Sequence, residues 1–164
     1  METRQGNVAV EMTVNGEPMV GIAEPRTLLS DFLRHGLGMT GTHVGCEQGV
    51  CGACTVLIDG QPARSCLTFA VQAEGCRVDT VEGMAEGGAL SDVQEAFRAE
   101  HGLQCGFCTP GFLAATEALL AENPDPTDDE IRDYLSGNIC RCTGYQGIIA
   151  AVRRAAQTRK AASA

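Results

Sequence analysis

Val8, Val10, Met12 and Val14 alternate with other residues, and Asn15-Gly16 follows as a two-residue hairpin turn. Met19, Val20 and Ile22 supply the return strand. From Thr27 to His35 the period changes. Leu28, Leu29, Phe32 and Leu33 share one helical stripe, and Gly36 stops it. Gly36 to Ala53 is a long loop rich in glycine and cysteine, with no regular period. Thr55 to Ile58 reads as a strand ending in the turn Asp59-Gly60, while Cys66 to Val71 and Arg77 to Val81 read as further short strands. These pieces predict a small twisted sheet with one helix across it.

The period then becomes helical throughout. Ser91-x-x-Gln94 is a capping box for a helix ending near His101-Gly102. Thr109-Pro110 offers an N-cap and a proline at the first helical position, for a helix to about Glu122. Thr127-x-x-Glu130 opens a short helix to Ser136-Gly137, and Thr143 caps one from Gly144 to about Thr158, leaving a frayed tail to Ala164. The fold class is therefore α+β: a strand-rich unit at 1–80, an acidic, glycine-rich linker at 81–90, and a four-helix unit at 91–164.

Composition sharpens this. Nine cysteines in 164 residues admit three readings: a disulfide framework, structural zinc, or iron–sulfur centres. The polar N-terminus lacks the apolar run of a secretory leader, and no stretch reaches the roughly 18 apolar residues of a membrane span. A cytoplasmic chain with no membrane span is expected, where thiolate–metal sites outrank disulfides. The formal net charge of −9 argues against nucleic-acid binding, because no basic patch is available to neutralise phosphates.

Cys46, Cys51 and Cys54 follow the spacing C-x4-C-x2-C, with Cys66 after a further strand. This is the plant-type [2Fe–2S] spacing, unlike the paired C-x2-C knuckles of zinc sites. Gly41, Gly45, Gly49 and Gly52 allow the loop to fold tightly, with amides turned toward a negatively charged cluster. Cys105-x-x-Cys108 and Cys140-x-Cys142 form a second set, each pair preceding a predicted helix whose positive end suits an anionic centre. Its spacing alone leaves zinc open. Cys76 is left over and reads as a small buried hydrophobe. His35, His43 and His101 have no ligand role to fill. Arg141 is either a tuner of the second site or an exposed side chain, and Tyr145 is expected to pack among the helices.

The segments GTHVGCEQGVCGACTVLIDG, LQCGFCTPG and LSGNICRCTGY closely resemble the iron–sulfur subunit of molybdenum hydroxylases, the xanthine dehydrogenase family. As a separate short chain, the protein resembles the small subunit of the bacterial three-chain enzymes. The likeness covers about residues 7–158. It implies a plant-type ferredoxin domain, β-grasp-like, followed by a four-helix [2Fe–2S] domain. It implies one cluster on Cys46, Cys51, Cys54 and Cys66, toward the flavin, and one on Cys105, Cys108, Cys140 and Cys142, nearest molybdenum. It further implies Gln104 and Cys142 against the pterin, molybdopterin as its cytosine dinucleotide on a large subunit, FAD on a medium subunit, and a dimer of heterotrimers. Electrons would pass from molybdopterin through both clusters to FAD, with no substrate chemistry on this chain. The rival readings are a free-standing two-cluster carrier and a structural zinc protein.

Overall fold

A computed structural model describes residues 6–85 and 87–163. The first five residues, Glu86 and Ala164 lie outside the described residues, so the reading of the N-terminus as leaderless and the outer limits of the expected units fall partly there.

The alternating start forms β1 (Val8–Val14), which turns through Asn15 and Gly16, both at positive φ, into antiparallel β2 (Glu17–Ala23). Two-residue turns of this hand match the twist of the flanking strands. The Asn15 side chain accepts from Thr80 N at 2.8 Å, which ties the hairpin to the end of the sheet. β3 (Thr55–Ile58), β4 (Gln61–Arg64) and β5 (Arg77–Asp79) complete a five-stranded mixed sheet of order β2-β1-β5-β3-β4, in which β1 and β5 run parallel. The apolar face of β1, with Val10, Met12 and Val14, packs on Leu29, Phe32, Leu33, Val56 and Val78.

Three details depart from the sequence reading. The helix expected from Thr27 is short: α1 (Leu29–Asp31) widens into a π turn over Phe32–Gly36, where Leu37 N donates to Phe32 O at 2.9 Å. Cys66 to Val71 is not a strand but part of two 3₁₀ turns, Ser65–Leu67 and Ala70–Ala73. Local side chains take the backbone bonds there: Ser65 Oγ donates to Cys54 O, and Gln72 Oε1 accepts from Phe69 N. β4 was absent from the pattern because Gln-Pro-Ala-Arg has no alternation; an edge position tolerates Pro62.

The second half holds α2 (Asp92–Ala99), α3 (Thr109–Glu122), α4 (Asp128–Tyr134) and α5 (Gln146–Ala162). The capping boxes at Ser91 and Thr127 are both formed. Cys108, rather than Thr109, is the N-cap of α3. α5 begins at Gln146, because Gly144 and Tyr145 both take left-handed backbone and turn the chain first. Its end is a full turn later than expected: Arg159 pairs with Asp92 and Glu117, and Lys160 with Asp125. Val93, Phe97, Phe112, Leu119, Ile131, Ile148 and Val152 form a second core. α3 is buried on almost every side because it also packs against β3 and β4 of the other half. The start of the expected linker is docked as well, with Glu82 accepting from Gly41 N and from Thr80 Oγ1 at 2.6 Å each.

Candidate metal centres

All nine cysteines are free thiols, which disposes of the disulfide reading. The eight cysteines of the two expected sets lie on the loop before β3, the following 3₁₀ turn and the segments ahead of α3 and α5. Cys46 and Cys51 sit half-buried on the loop before β3, whereas Cys54 and Cys66 are buried at 1% and 2% exposure. The loop turns through positive φ at Glu47, Gly49 and Gly52, so only two of the four expected glycines bend it in that way. Gln48 N donates to Cys46 Sγ at 3.4 Å. That bond, with the Cys51 amide and thiol, lowers the Cys46 thiol to about 7. Burial pushes Cys66 up to about 11, against the Gly49 amide. Burial also raises Cys51, against the Ala53 amide.

In the second set Cys105 and Cys142 are exposed, with sulfurs 3.5 Å apart, while Cys108 is half-buried and Cys140 buried. Burial, then Cys140, pushes Cys108 up to about 12. Burial opposes the Cys140 thiolate, but the Thr143 hydroxyl at 3.1 Å and its amide at 3.4 Å outweigh it and hold the group below its ordinary value. The Phe107 amide lowers Cys105. At Cys142 the Cys105 amide favours the thiolate, yet the thiol and charge of Cys105 leave the group raised.

The helix-end expectation holds for only one pair. Cys108 caps α3 directly, whereas Cys142 stands several residues ahead of α5. Ahead of α5, Tyr145 Oη instead accepts from Cys140 N at 3.0 Å and takes up that amide. Tyr145 also sets its ring edge on Phe112, so the expected packing is only part of its role.

A single tetrahedral ion with metal–sulfur bonds of about 2.3 Å needs all its sulfurs within about 3.8 Å of one another. Among the described residues, no three His, Cys, Asp or Glu side chains converge in that way. Amide and hydroxyl donors aimed at sulfur suit an anionic two-iron centre held by four thiolates, whose negative charge the peptide dipoles offset. The donor sets fit a [2Fe–2S] centre.

Gln104 is exposed beside Cys105, and Arg141 is exposed between Cys140 and Cys142. Cys76 is half-buried beside β5 and apart from both sets, so the fully buried hydrophobe expected there is not found; burial and the neighbouring Asp59 raise its thiol. His43 meets the other half: its Nδ1 lies 2.8 Å from Phe107 O and its ring stacks on Phe107 at 4.9 Å. Sequence reasoning missed Arg64, Asn138 and Thr143. Only Thr143 carried a local signal, as the expected helix cap two residues upstream of the true one.

Among the described residues, no helix is long and apolar enough to cross a membrane. Residues 80–153 match the family model described as "[2Fe-2S] binding domain". Caffeine dehydrogenase subunit gamma of Pseudomonas sp. (strain CBB1) is 53% identical over 156 residues, covering 93% of each chain. The xanthine dehydrogenase iron-sulfur-binding subunit of Escherichia coli O157:H7 is 47% identical over 154 residues, covering 93% of this chain and 96% of that one. Among solved structures, quinoline 2-oxidoreductase from Pseudomonas putida 86 superposes with a TM-score of 0.92 at 53% identity, over 96% of this chain and 99% of the matched one.

Proposed function

The chain belongs to the iron–sulfur small subunits of the molybdenum hydroxylases, the xanthine dehydrogenase family, and from that premise we propose that it holds two [2Fe–2S] clusters, one on Cys46, Cys51, Cys54 and Cys66 and one on Cys105, Cys108, Cys140 and Cys142. It is the electron-transfer subunit of its enzyme and works with larger subunits that carry molybdopterin and FAD. The observation that supports the cluster assignment is that each set turns amide or hydroxyl donors onto cysteine sulfur, Gln48 N onto Cys46 and Thr143 onto Cys140.

The clusters supply one-electron exchange; the chain supplies everything that orients and tunes it. Gln48 N and the Cys51 and Val50 amides favour the ionised form of Cys46, and Thr143 does the same for Cys140. Exposure divides the sets. Cys105, Cys142 and Gln104 face outward, which supports contact with the pterin of the large subunit, as its cytosine dinucleotide. The loop set then stands toward the flavin, on a ferredoxin-like unit at 1–80, joined through 81–90 to a helical unit at 91–164. A dimer of heterotrimers in the cytoplasm completes the reading; reduced, metal-binding cysteines favour that compartment. A free-standing carrier has less support, since the chain matches subunits of larger enzymes along nearly its whole length.

The purified protein is expected to be brown, with about four irons and four sulfides per chain and two distinct EPR signals on reduction. Cys142→Ser should abolish one signal and keep the other. A colourless protein carrying zinc would refute the assignment.

A further inference from the structure

One hydrogen-bonded bridge joins the two cysteine sets. Ile139 N donates to Cys51 O at 2.9 Å, so the carbonyl of one cysteine meets the residue next to Cys140. Asn138, 3% exposed, donates through Nδ2 to Gly52 O at 3.0 Å. Arg64, two residues before Cys66, closes the bridge from the sheet: Nη2 donates to Gly137 O at 2.7 Å and to Asn138 Oδ1 at 3.4 Å, and Nη1 to Thr55 Oγ1 at 2.6 Å. Thr55 Oγ1 donates in turn to Gly52 O at 2.6 Å. The loops are pressed together as closely as backbone allows, since a Cβ on Gly52 would come within 2.5 Å of Gly137 O.

We propose that Asn138 and Arg64 are positioning residues for electron passage between the two sets, holding the Cys51 carbonyl against the Ile139 amide as the route. From Cys51 Sγ to Cys140 Sγ that route consists of covalent bonds interrupted by one hydrogen bond, which transmits electronic coupling better than a van der Waals gap. A second contact between the loops, His43 with Phe107, reaches Cys46 only through a side chain and three further residues, and Gly111 meets Gly52 O and Ala53 O only by van der Waals approach. The exchange balances as it stands: one centre loses one electron as the other gains one, with no proton or further reactant. The proposal rests on the assignment of one cluster to each cysteine set.

Two variants in the assembled enzyme test it. Asn138→Ala removes both side-chain contacts, whereas Asn138→Asp keeps the acceptor for Arg64 and loses the donor to Gly52. Both are expected to retain iron, both EPR signals and both midpoint potentials. The Ile139 amide should exchange with deuterium faster, the magnetic splitting between the two reduced centres should weaken, and electron exchange between them should slow by roughly tenfold in the alanine variant, a barrier increase of about 1.4 kcal/mol. The aspartate variant should fall between it and the wild type. Unchanged splitting and exchange rate would overturn the proposal, as would an unchanged Ile139 amide. Loss of iron from both variants would also overturn it, assigning Asn138 to cluster assembly. A wild-type enzyme without two cluster signals would instead overturn the proposed function beneath it.

Discussion

Gly111 shows how much a single position can carry. It lies in the first turn of α3, where a Cβ would overlap Gly52 O and come within 3.1 Å of Ala53 O. Both obstacles are backbone, so neither can swing aside as a side-chain tip would. Gly111→Ala is expected to push α3 off the loop and destabilise the protein by about 1–3 kcal/mol, the usual cost of overpacking. Because Cys108 and Cys54 both adjoin the seam, iron content should fall with the melting temperature. Normal iron and an unchanged melt would show that the loop yields freely. The first cysteine set was proposed from its spacing, and the second only from its place ahead of predicted helices and the family likeness. Gly111, Asn138 and Arg64 were not legible, since each acts on a segment brought alongside only by the fold. The packing of Tyr145 on Phe112 was foreseen, but not its hydroxyl, which serves an amide five residues back through a left-handed turn that no periodicity reveals.

Elements were read best where their determinants are local. The β1–β2 hairpin and the starts of α2 and α4 rest on a turn pair and two capping boxes, all within a few residues. α1 and the end of α5 went astray because tertiary contacts outvote propensity. The last turn of α5 is held by Arg159, which pairs with Asp92 on α2 and Glu117 on α3. The Arg159 guanidinium holds the Asp92 carboxyl below its ordinary value, against partial burial. A depressed carboxyl stabilises the fold above its unfolded pKa, near 3.9, and that contribution is lost as pH falls through the lower folded value. Arg159→Ala should therefore cost about 1 kcal/mol near neutrality, discounted for the pair's partial exposure, or roughly 2–4 °C in melting temperature. The gap from wild type should close as pH drops below about 4. A constant gap across that range, followed by urea unfolding, would assign the loss to packing of the arginine stem instead.

At the scale of the whole molecule, two cores with no shared buried residue meet along a polar seam. Small proteins with little aromatic core need reinforcement, and the two proposed clusters beside the seam would supply it to both halves. The halves are not beads on a string, however. α3 packs on β3, Arg64 holds Gly137, Ile139 holds Cys51, and His43 stacks on Phe107. The covalent link contributes less: Gly87 and Gly88 have nothing within 4 Å of where a Cβ would stand. Cutting the chain there, by a protease site inserted between the two glycines, is expected to leave the halves eluting as one species with both cluster signals intact. The same cut combined with Arg64→Ala should weaken the association, because Gly137 O and Asn138 would lose their buried charged donor, a loss of order 1–3 kcal/mol. Separation of the singly cut protein would show that the linker, not the seam, holds the clusters in line, and electron passage between them would then depend on chain connectivity rather than on the contacts at Asn138.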